Sequence, residues 1–346
     1  MSFYLQKYSF SDEQLNVPVK ENTGMIIVIP CYDEPDLKKS LSALYNCTQP
    51  TCNVEVITVI NASEKDDEEV KKRNVQVLNE SVLWASQNSG LHIQFHFILN
   101  NELPQKHAGV GLARKIGMDE AVRRFEKIKK DGIIVCFDAD SLCETDYLVE
   151  LENHFKKNPS TPGCSIYFEH PLSGNEFPAE VYSSIAEYEL FLRYYKQCLD
   201  YCGLPFAFHT IGSSMAVRSS AYQKQGGMNR RKAGEDFYFL QKIIALGNFS
   251  ELNSTKVIPS PRPSHRVPFG TGRAISERLN SDEKMMKAYD FAIFDEIRTF
   301  VSLIPGWYEK KKWEKSDELS DEFNDYLMNE GVEKKWGEMI QHSSGE

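Results

Sequence analysis

Short apolar runs alternate with amphipathic stretches through the first part of the chain. Residues 25–29 and 54–60 are continuous apolar runs that predict buried strands, and Leu37, Leu41 and Leu44 between them recur with helical spacing. The alternation continues with predicted helices at 63–87 and 109–129 and predicted strands at 92–99 and 133–137. Strands that alternate with helices predict an α/β fold, a mostly parallel, doubly wound sheet flanked by helices.

Three polar segments follow predicted strands directly, at residues 30–32, 61–63 and 138–140. Ligands on doubly wound sheets bind beyond the carboxyl ends of the strands. We therefore expect these segments to converge on one crevice.

The second part of the chain has a different texture. It predicts a helix at 145–157, a strand at 164–168 and an aromatic-rich helix at 180–202, whose aromatic stripe favours core packing over a ligand platform. A Pro- and Gly-rich loop at 259–272 precedes a charged helical tail. The pattern predicts one domain at 1–280, with halves at about 24–141 and 142–280, and a helical tail at 281–346 packed on it or extending from it.

Composition narrows the class of protein. The 346 residues contain 40 Lys and Arg against 50 Asp and Glu, a formal charge of -10, and the basic residues are scattered, which argues against nucleic acid as a partner. Eight dispersed cysteines without zinc spacing predict reduced thiols. No signal peptide and no apolar stretch of about 18 residues is visible, so we expect a cytoplasmic protein with no transmembrane segment, for which peripheral membrane contact stays open.

The segment Asp138-Ala139-Asp140 is the strongest chemical signal in the sequence. Two carboxylates just past a strand end suit a hard divalent cation, Mn²⁺ or Mg²⁺, that also bridges phosphate oxygens. An aspartate in a turn or at a helix cap is the alternative interpretation of a lone Asp-x-Asp motif.

The order of several short motifs resembles family 2 glycosyltransferases of the GT-A fold. IVIPCYDEP at the front, DAD in the middle and GSSMAVR, GGM and GED afterwards carry this resemblance, over roughly residues 24–246. It implies a metal-dependent enzyme that moves a sugar from a nucleoside-diphosphate sugar to the hydroxyl of a glycan or another acceptor, with inversion at the anomeric carbon.

The resemblance also implies where the donor binds. Asn61 stands where the family usually has an acidic residue on the base, a departure that leaves the base open. Arg114 resembles an arginine that reaches the nucleotide, with Lys115 in place of the more usual asparagine; the alternative is a solvent-facing position on an amphipathic helix. The predicted nucleotide-sugar-binding residues are Pro30, Tyr32, Glu34, Asn61, Arg114, Asp138, Ala139 and Asp140.

The second half supplies the acceptor side in this resemblance. Gly212 and Ser213 match a turn that lines the acceptor pocket. Glu235 and Asp236 match a Glu-Asp pair, and because adjacent helical residues point about 100° apart, only one of them can face the sugar. The family pattern assigns the general base to Asp236 and leaves Glu235 to orient or cap on the acceptor side.

A late histidine completes the expected site. His265 in the Pro- and Gly-rich loop is predicted to join Asp140 as a metal ligand, as a late histidine does in several GT-A enzymes, although a lone loop histidine is also typical of an ordinary surface. The neighbouring Arg262, Arg266 and Arg273 favour a loop that closes over a pyrophosphate.

Two other classes of protein remain as alternatives. A sugar nucleotidylyltransferase shares a similar sheet and metal site, but it normally opens with a glycine-rich basic loop, where this chain has IPCYDEP. A non-catalytic nucleotide-sugar-binding protein would not need the DAD and GED motifs. The sequence leaves the donor sugar, the acceptor and the oligomeric state open.

Overall fold

An eight-stranded mixed sheet forms the framework of the computed structural model, which describes residues 2–88, 90, 92–264, 270–280 and 286–343. The strand order is β3-β2-β1-β4-β7-β6-β8-β5. The strands are β1 (Thr23–Cys31), β2 (Asn53–Ser63), β3 (Ile93–Leu103), β4 (Ile133–Cys136), β5 (Leu142–Cys143), β6 (Gly163–Phe168), β7 (Met215–Arg218) and β8 (Ser250–Ile258).

The first four strands pair in parallel, β3 with β2, β2 with β1 and β1 with β4. Beyond β4 the sheet is mixed, because β7 runs antiparallel to both β4 and β6 and β5 runs antiparallel to β8, whereas β6 and β8 are parallel. The predicted α/β fold class is confirmed. The parallel half brings the carboxyl ends of β1, β2 and β4 to one edge of the sheet.

Helices separate and flank these strands. Those before the acceptor half are α1 (Phe3–Tyr8), α2 (Leu37–Tyr45), α3 (Glu68–Asn88) and α4 (Val110–Lys127). The later helices are α5 (Tyr147–Lys157), α6 (Ala179–Tyr201), α7 (Ser219–Lys224), α8 (Glu235–Ile244), α9 (Thr271–Leu279), α10 (Phe291–Lys310), α11 (Asp321–Asn329) and α12 (Val332–Ser343).

Most element boundaries fall close to the sequence predictions, with a few differences. α3 begins at Glu68, five residues after the predicted start at residue 63, because β2 continues through Ser63. The sequence pattern predicts neither α1 nor β8. β8 reads SELNSTKVI, and its mixture of polar residues hides the period of two by which a half-buried strand is recognised.

Helix α4 lies against the parallel half of the sheet and is buried on all sides. Gly117 permits close packing, because a Cβ there would overlap Val28 Cγ1 of β1 and would lie 3.2 Å from Val59 Cγ2 of β2. The N-terminal segment covers the outer face, where the Tyr4 hydroxyl donates to Asp119 Oδ1 at 2.6 Å and Arg124 Nη1 donates to the Val17 carbonyl at 3.0 Å. Polar side chains of α4 therefore point into the protein rather than into water.

The chain divides into two compact units, Met1–Glu189 with Phe208–Glu283, and Leu190–Ala207 with Lys284–Glu346. The second unit has aromatic clusters of its own, in which Trp307 packs with Trp313, and Phe294 packs with Cys198 and Cys202. Within the described part of the chain, no helix combines the length and the apolar character that a membrane crossing requires.

Candidate active site

The DAD segment follows β4 and lies at the carboxyl edge of the parallel strands. The Ser40 hydroxyl of α2 donates to the Ala139 carbonyl at 2.8 Å, which fixes the backbone of the motif. Ala139 is buried, whereas the side chains of Asp138 and Asp140 are 35% and 34% exposed. Both carboxylates are therefore partly accessible to solvent at this edge of the sheet.

Arg114 connects the DAD motif to the start of α8. Its guanidinium is buried, with Nη2 donating to Asp138 Oδ1 at 2.5 Å and Nη1 donating to Glu235 Oε1. Burial tends to lower the pKa of Arg114, but the adjacent Asp138 and Glu235 carboxylates outweigh it and hold that pKa well above its usual range. Three elements distant in sequence, α4, the end of β4 and α8, thus meet at one buried cation.

Gly212 packs directly against this cation. A Cβ at residue 212 would lie 2.6 Å from Arg114 Cζ and closer still to the guanidinium nitrogens, so only glycine fits there. The neighbouring Ser213 is buried, with its hydroxyl 3.4 Å from that of Ser214. The segment predicted to line the acceptor pocket therefore contacts Arg114 where it bridges Asp138 and Glu235, an arrangement called the Arg114 bridge below.

Glu235 and Asp236 occupy different surroundings although they are adjacent. Glu235 is 2% exposed and faces Arg114, whereas Asp236 is half-buried and accepts a hydrogen bond from the Phe237 amide at 2.8 Å. Burial raises the pKa of Glu235 to about 7 against the opposing effect of Arg114, and burial also raises the pKa of Asp236. Burial, and to a smaller extent the charge of Asp236, raise the pKa of Tyr188, a residue of the aromatic-rich helix.

A second ion-pair cluster lies on the other side of the DAD motif. Arg262 donates to both carboxylate oxygens of Glu34, through Nη1 to Oε1 at 3.1 Å and through Nη2 to Oε2. The same Nη2 donates to Asp140 Oδ2 at 3.1 Å. The sequence predicts Glu34 and Asp140 as nucleotide-sugar-binding residues and Arg262 as part of a loop that closes over a pyrophosphate, but it does not reveal their mutual pairing, because no local pattern links residues so far apart in the chain.

Asn61 forms internal contacts at the end of β2. It is 2% exposed, its Nδ2 donates to the Cys31 carbonyl at 2.9 Å, and its own carbonyl accepts from Asn74 Nδ2 at 3.0 Å. Pro30 is buried beside it on β1, and Tyr32 just beyond is half-buried. The Asn61 side chain therefore joins β1 to the end of β2, and its backbone is bonded to α3.

Lys115, the other departure from the family pattern, also points inward. Its Nζ donates to the Tyr4 hydroxyl at 3.0 Å and pairs with Asp119 at 3.2 Å, in a buried cluster under the N-terminal segment. The lysine that stands in place of the more usual asparagine therefore makes its polar contacts with α1 and α4.

Of the two expected metal ligands, the structure describes Asp140. His265 lies outside the described residues. Within the ranges that the structure describes, no three His, Cys, Asp or Glu side chains are grouped so as to hold a metal ion.

A cavity of about 430 Å³ adjoins the Glu34–Arg262 pair, and Asp33 and Arg73 also line it.

These features define a class of protein: a GT-A-like α/β fold with an Asp-x-Asp segment after β4 and a Glu-Asp pair at the start of α8. The model of glycosyl transferase family 2 matches residues 26–224, and the chain belongs to that family. It is therefore a glycosyltransferase. Comparison with curated protein sequences gives no match.

Solved structures with a similar fold include those of S. aureus TarS. Residues 1–349 of TarS in complex with UDP-GlcNAc share 14% identity at a TM-score of 0.47, covering 83% of this chain and 76% of that one. The complex of the same fragment with UDP gives 14% identity and a TM-score of 0.44, over 83% and 75% of the two chains. Another TarS crystal structure gives 13% identity and 0.44, over 83% of this chain and 45% of that one.

Proposed function

We propose that this glycosyltransferase moves a sugar from a nucleoside-diphosphate sugar to an acceptor hydroxyl in the crevice beside the DAD motif. The observation that carries the proposal is the Arg114 bridge, which joins Asp138 to Glu235 and so holds the DAD and Glu-Asp motifs next to each other. In this assignment residues 24–141 bind the nucleotide, residues 142–280 bind the acceptor and residues 281–346 are an appended helical tail.

On the donor side, Pro30 at the end of β1 and Tyr32 and Glu34 just beyond it receive the nucleotide, and Asp138 and Asp140 face its ribose and diphosphate. Arg114 then acts on the donor through Asp138, because its guanidinium is buried between two carboxylates. Asn61 shapes the base pocket by holding β1 against β2 rather than by exposing its own amide.

The proposed divalent cation, Mn²⁺ or Mg²⁺, binds at Asp140. A magnesium-like ion is usually held by one or two carboxylates together with substrate phosphates and waters, and the partly exposed Asp140 fits that donor set. When bound, the cation neutralises charge on the leaving diphosphate. His265 is proposed as a further ligand of the same ion.

On the acceptor side, Asp236 is half-buried and is not paired with Arg114, whereas the buried Glu235 is, and this favours Asp236 as the general base. As the acceptor oxygen forms its bond to C1 of the sugar, its proton passes to the Asp236 carboxylate, and the C1–O bond to the diphosphate breaks with its electron pair on that oxygen. Glu235, held by Arg114, orients the start of α8, and Gly212 and Ser213 line the acceptor pocket. Direct displacement of this kind inverts the anomeric carbon.

Substitution of Asp140 by asparagine tests the donor and metal assignment. We expect stabilisation by nucleoside diphosphate plus Mn²⁺ to fall, with at least about tenfold weaker binding, because one of very few protein ligands to the ion loses its charge. Thermal-shift titration of a panel of nucleoside diphosphates, with and without Mn²⁺, measures this. Asp200→Asn, which removes an exposed carboxylate paired with Lys196, is the control; unchanged metal dependence in Asp140→Asn would refute the assignment.

A further inference from the structure

Arg262 is shared between two carboxylates of unequal burial. Glu34 is 2% exposed and receives both guanidinium nitrogens, whereas the Asp140 side chain is 34% exposed and receives Nη2 at its Oδ2 alone. A bidentate pair to a buried carboxylate is the stronger of the two interactions. Glu34 therefore anchors the guanidinium, and the bond to Asp140 is the one that can be exchanged.

The backbone around Arg262 is constrained, so the guanidinium is delivered to a fixed place. Pro261 and Pro263 flank the residue and restrict its conformation from both sides, and the Arg262 amide donates to the Ser260 hydroxyl at 3.3 Å. The Ser264 amide donates to the Gly272 carbonyl at 2.9 Å, which ties the segment that carries Arg262 to the first turn of α9. Arg262 also borders the cavity of about 430 Å³, which leaves space for its side chain to shift while it stays on Glu34.

The charge of a ligand bound near Asp140 determines whether the Arg262 guanidinium is repelled or attracted. A divalent cation bound to Asp140 would lie next to Arg262, and like charges at that separation repel each other. A diphosphate in the crevice reverses the balance, because its oxygens accept hydrogen bonds from the guanidinium. The diphosphate can then bind the divalent cation and the Arg262 guanidinium at the same time.

We infer that Arg262 competes with the divalent cation for Asp140 and transfers to the donor diphosphate, which makes metal binding and donor binding cooperative. Glu34 remains paired with Arg262 throughout as the positioning residue. The inference rests on the proposed function, because it takes Asp140 as the metal site. Coupling of this kind is reciprocal, so the diphosphate strengthens the metal site by the factor by which the metal strengthens the diphosphate site.

Mn²⁺ and pyrophosphate are titrated in separate experiments, because they also bind each other in solution. Mn²⁺ alone is titrated by electron paramagnetic resonance, and inorganic pyrophosphate alone is titrated by calorimetry in the presence of EDTA. In Arg262→Met we expect Mn²⁺ to bind more tightly and pyrophosphate to bind more weakly, each by roughly fivefold, the ratio for a partly exposed ion pair. These opposite shifts are not what general damage to the site would produce.

Two further variants keep the result interpretable. Glu34→Gln combined with Arg262→Met removes the buried negative charge whose ion pair Arg262→Met breaks, so a folding defect in the single variant does not block the test. Lys256→Met removes a cation on β8 that pairs with Glu169 instead, and it should change neither titration.

The outcomes distinguish the inference from the function on which it rests. If Mn²⁺ binds the wild type and is lost in Asp140→Asn, but Arg262→Met leaves its affinity unchanged or lowers it, the competition is refuted and the proposed metal site stands. If Mn²⁺ binds the wild type with no dependence on Asp140, both the metal site and the competition are wrong.

Discussion

Asp236→Asn is expected to lose turnover selectively. The amide keeps the size of the carboxylate but cannot accept the proton of the acceptor hydroxyl, and removal of a general base typically lowers the rate by about 10²- to 10⁴-fold. Donor binding should survive, because the residues proposed to bind the donor, among them Asp138 and Asp140, are left unchanged. A fall in kcat with an unchanged dissociation constant for nucleoside diphosphate is the expected signature.

The stereochemical outcome provides an independent check on the same assignment. Proton magnetic resonance of an early reaction sample should show the anomer opposite to that of the donor. Asp200→Asn serves as the matched control, since its carboxylate is exposed and pairs with Lys196. A retained anomer, or near-normal turnover in Asp236→Asn, would remove the general-base role from Asp236.

Arg114→Met should have the largest effect on stability among the variants of the site. It leaves Asp138 and the buried Glu235 facing each other without their common cation, and breaking a buried ion pair from one side typically costs about 3–5 kcal/mol. Burial already raises the pKa of Glu235 to about 7 from a usual 4.5, so the folded protein prefers its protonated form and stability falls as the pH rises through this range. Loss of Arg114 raises that pKa further, and the deficit should be larger at about pH 8 than at about pH 5.

Urea unfolding of Arg114→Met at these two pH values measures the effect. Arg73→Met is the matched control, because Arg73 pairs with Asp33 at a half-exposed site where the expected cost is below about 1 kcal/mol. Adding Glu235→Gln to Arg114→Met should recover part of the loss, since removal of both partners costs less than removal of one. Equal stability of the Arg114 and Arg73 variants at both pH values would show that the bridge is not a structural element.

Local pattern was sufficient to predict most of the parallel half of the fold. The apolar runs at 25–29 and 54–60 became β1 and β2, and the helical spacing of Leu37, Leu41 and Leu44 became α2. The two strands are buried on both faces and the helix is buried along one stripe, so the order of apolar and polar residues directly predicts their burial. Strands β7 and β8 carry weaker patterns, because four residues or a largely polar strand give little periodicity.

The partners of the charged residues could not be predicted in the same way. Whether Arg114 would face solvent or the interior depended on Asp138, Gly212 and Glu235, which surround its guanidinium in the folded protein, and those contacts are tertiary. Asn61 matched a base-binding position in the family pattern, yet its amide is used within the protein. The pairing of Arg262 with Glu34 joins the loop after β8 to the loop after β1, which no short-range motif encodes.

Analysis of the nucleotide products determines whether this protein transfers a sugar from a nucleoside-diphosphate donor. A panel of nucleoside-diphosphate sugars is incubated with the full chain, Mn²⁺ and candidate hydroxyl acceptors, and the nucleotide products are separated by chromatography. We expect one donor class to yield the free nucleoside diphosphate, faster with acceptor than without it, and Asp236→Asn to lose this turnover. Formation of sugar 1-phosphate and nucleoside triphosphate on addition of pyrophosphate would identify a nucleotidylyltransferase instead, and binding of a donor without release of nucleoside diphosphate under any of these conditions would refute the proposed sugar transfer.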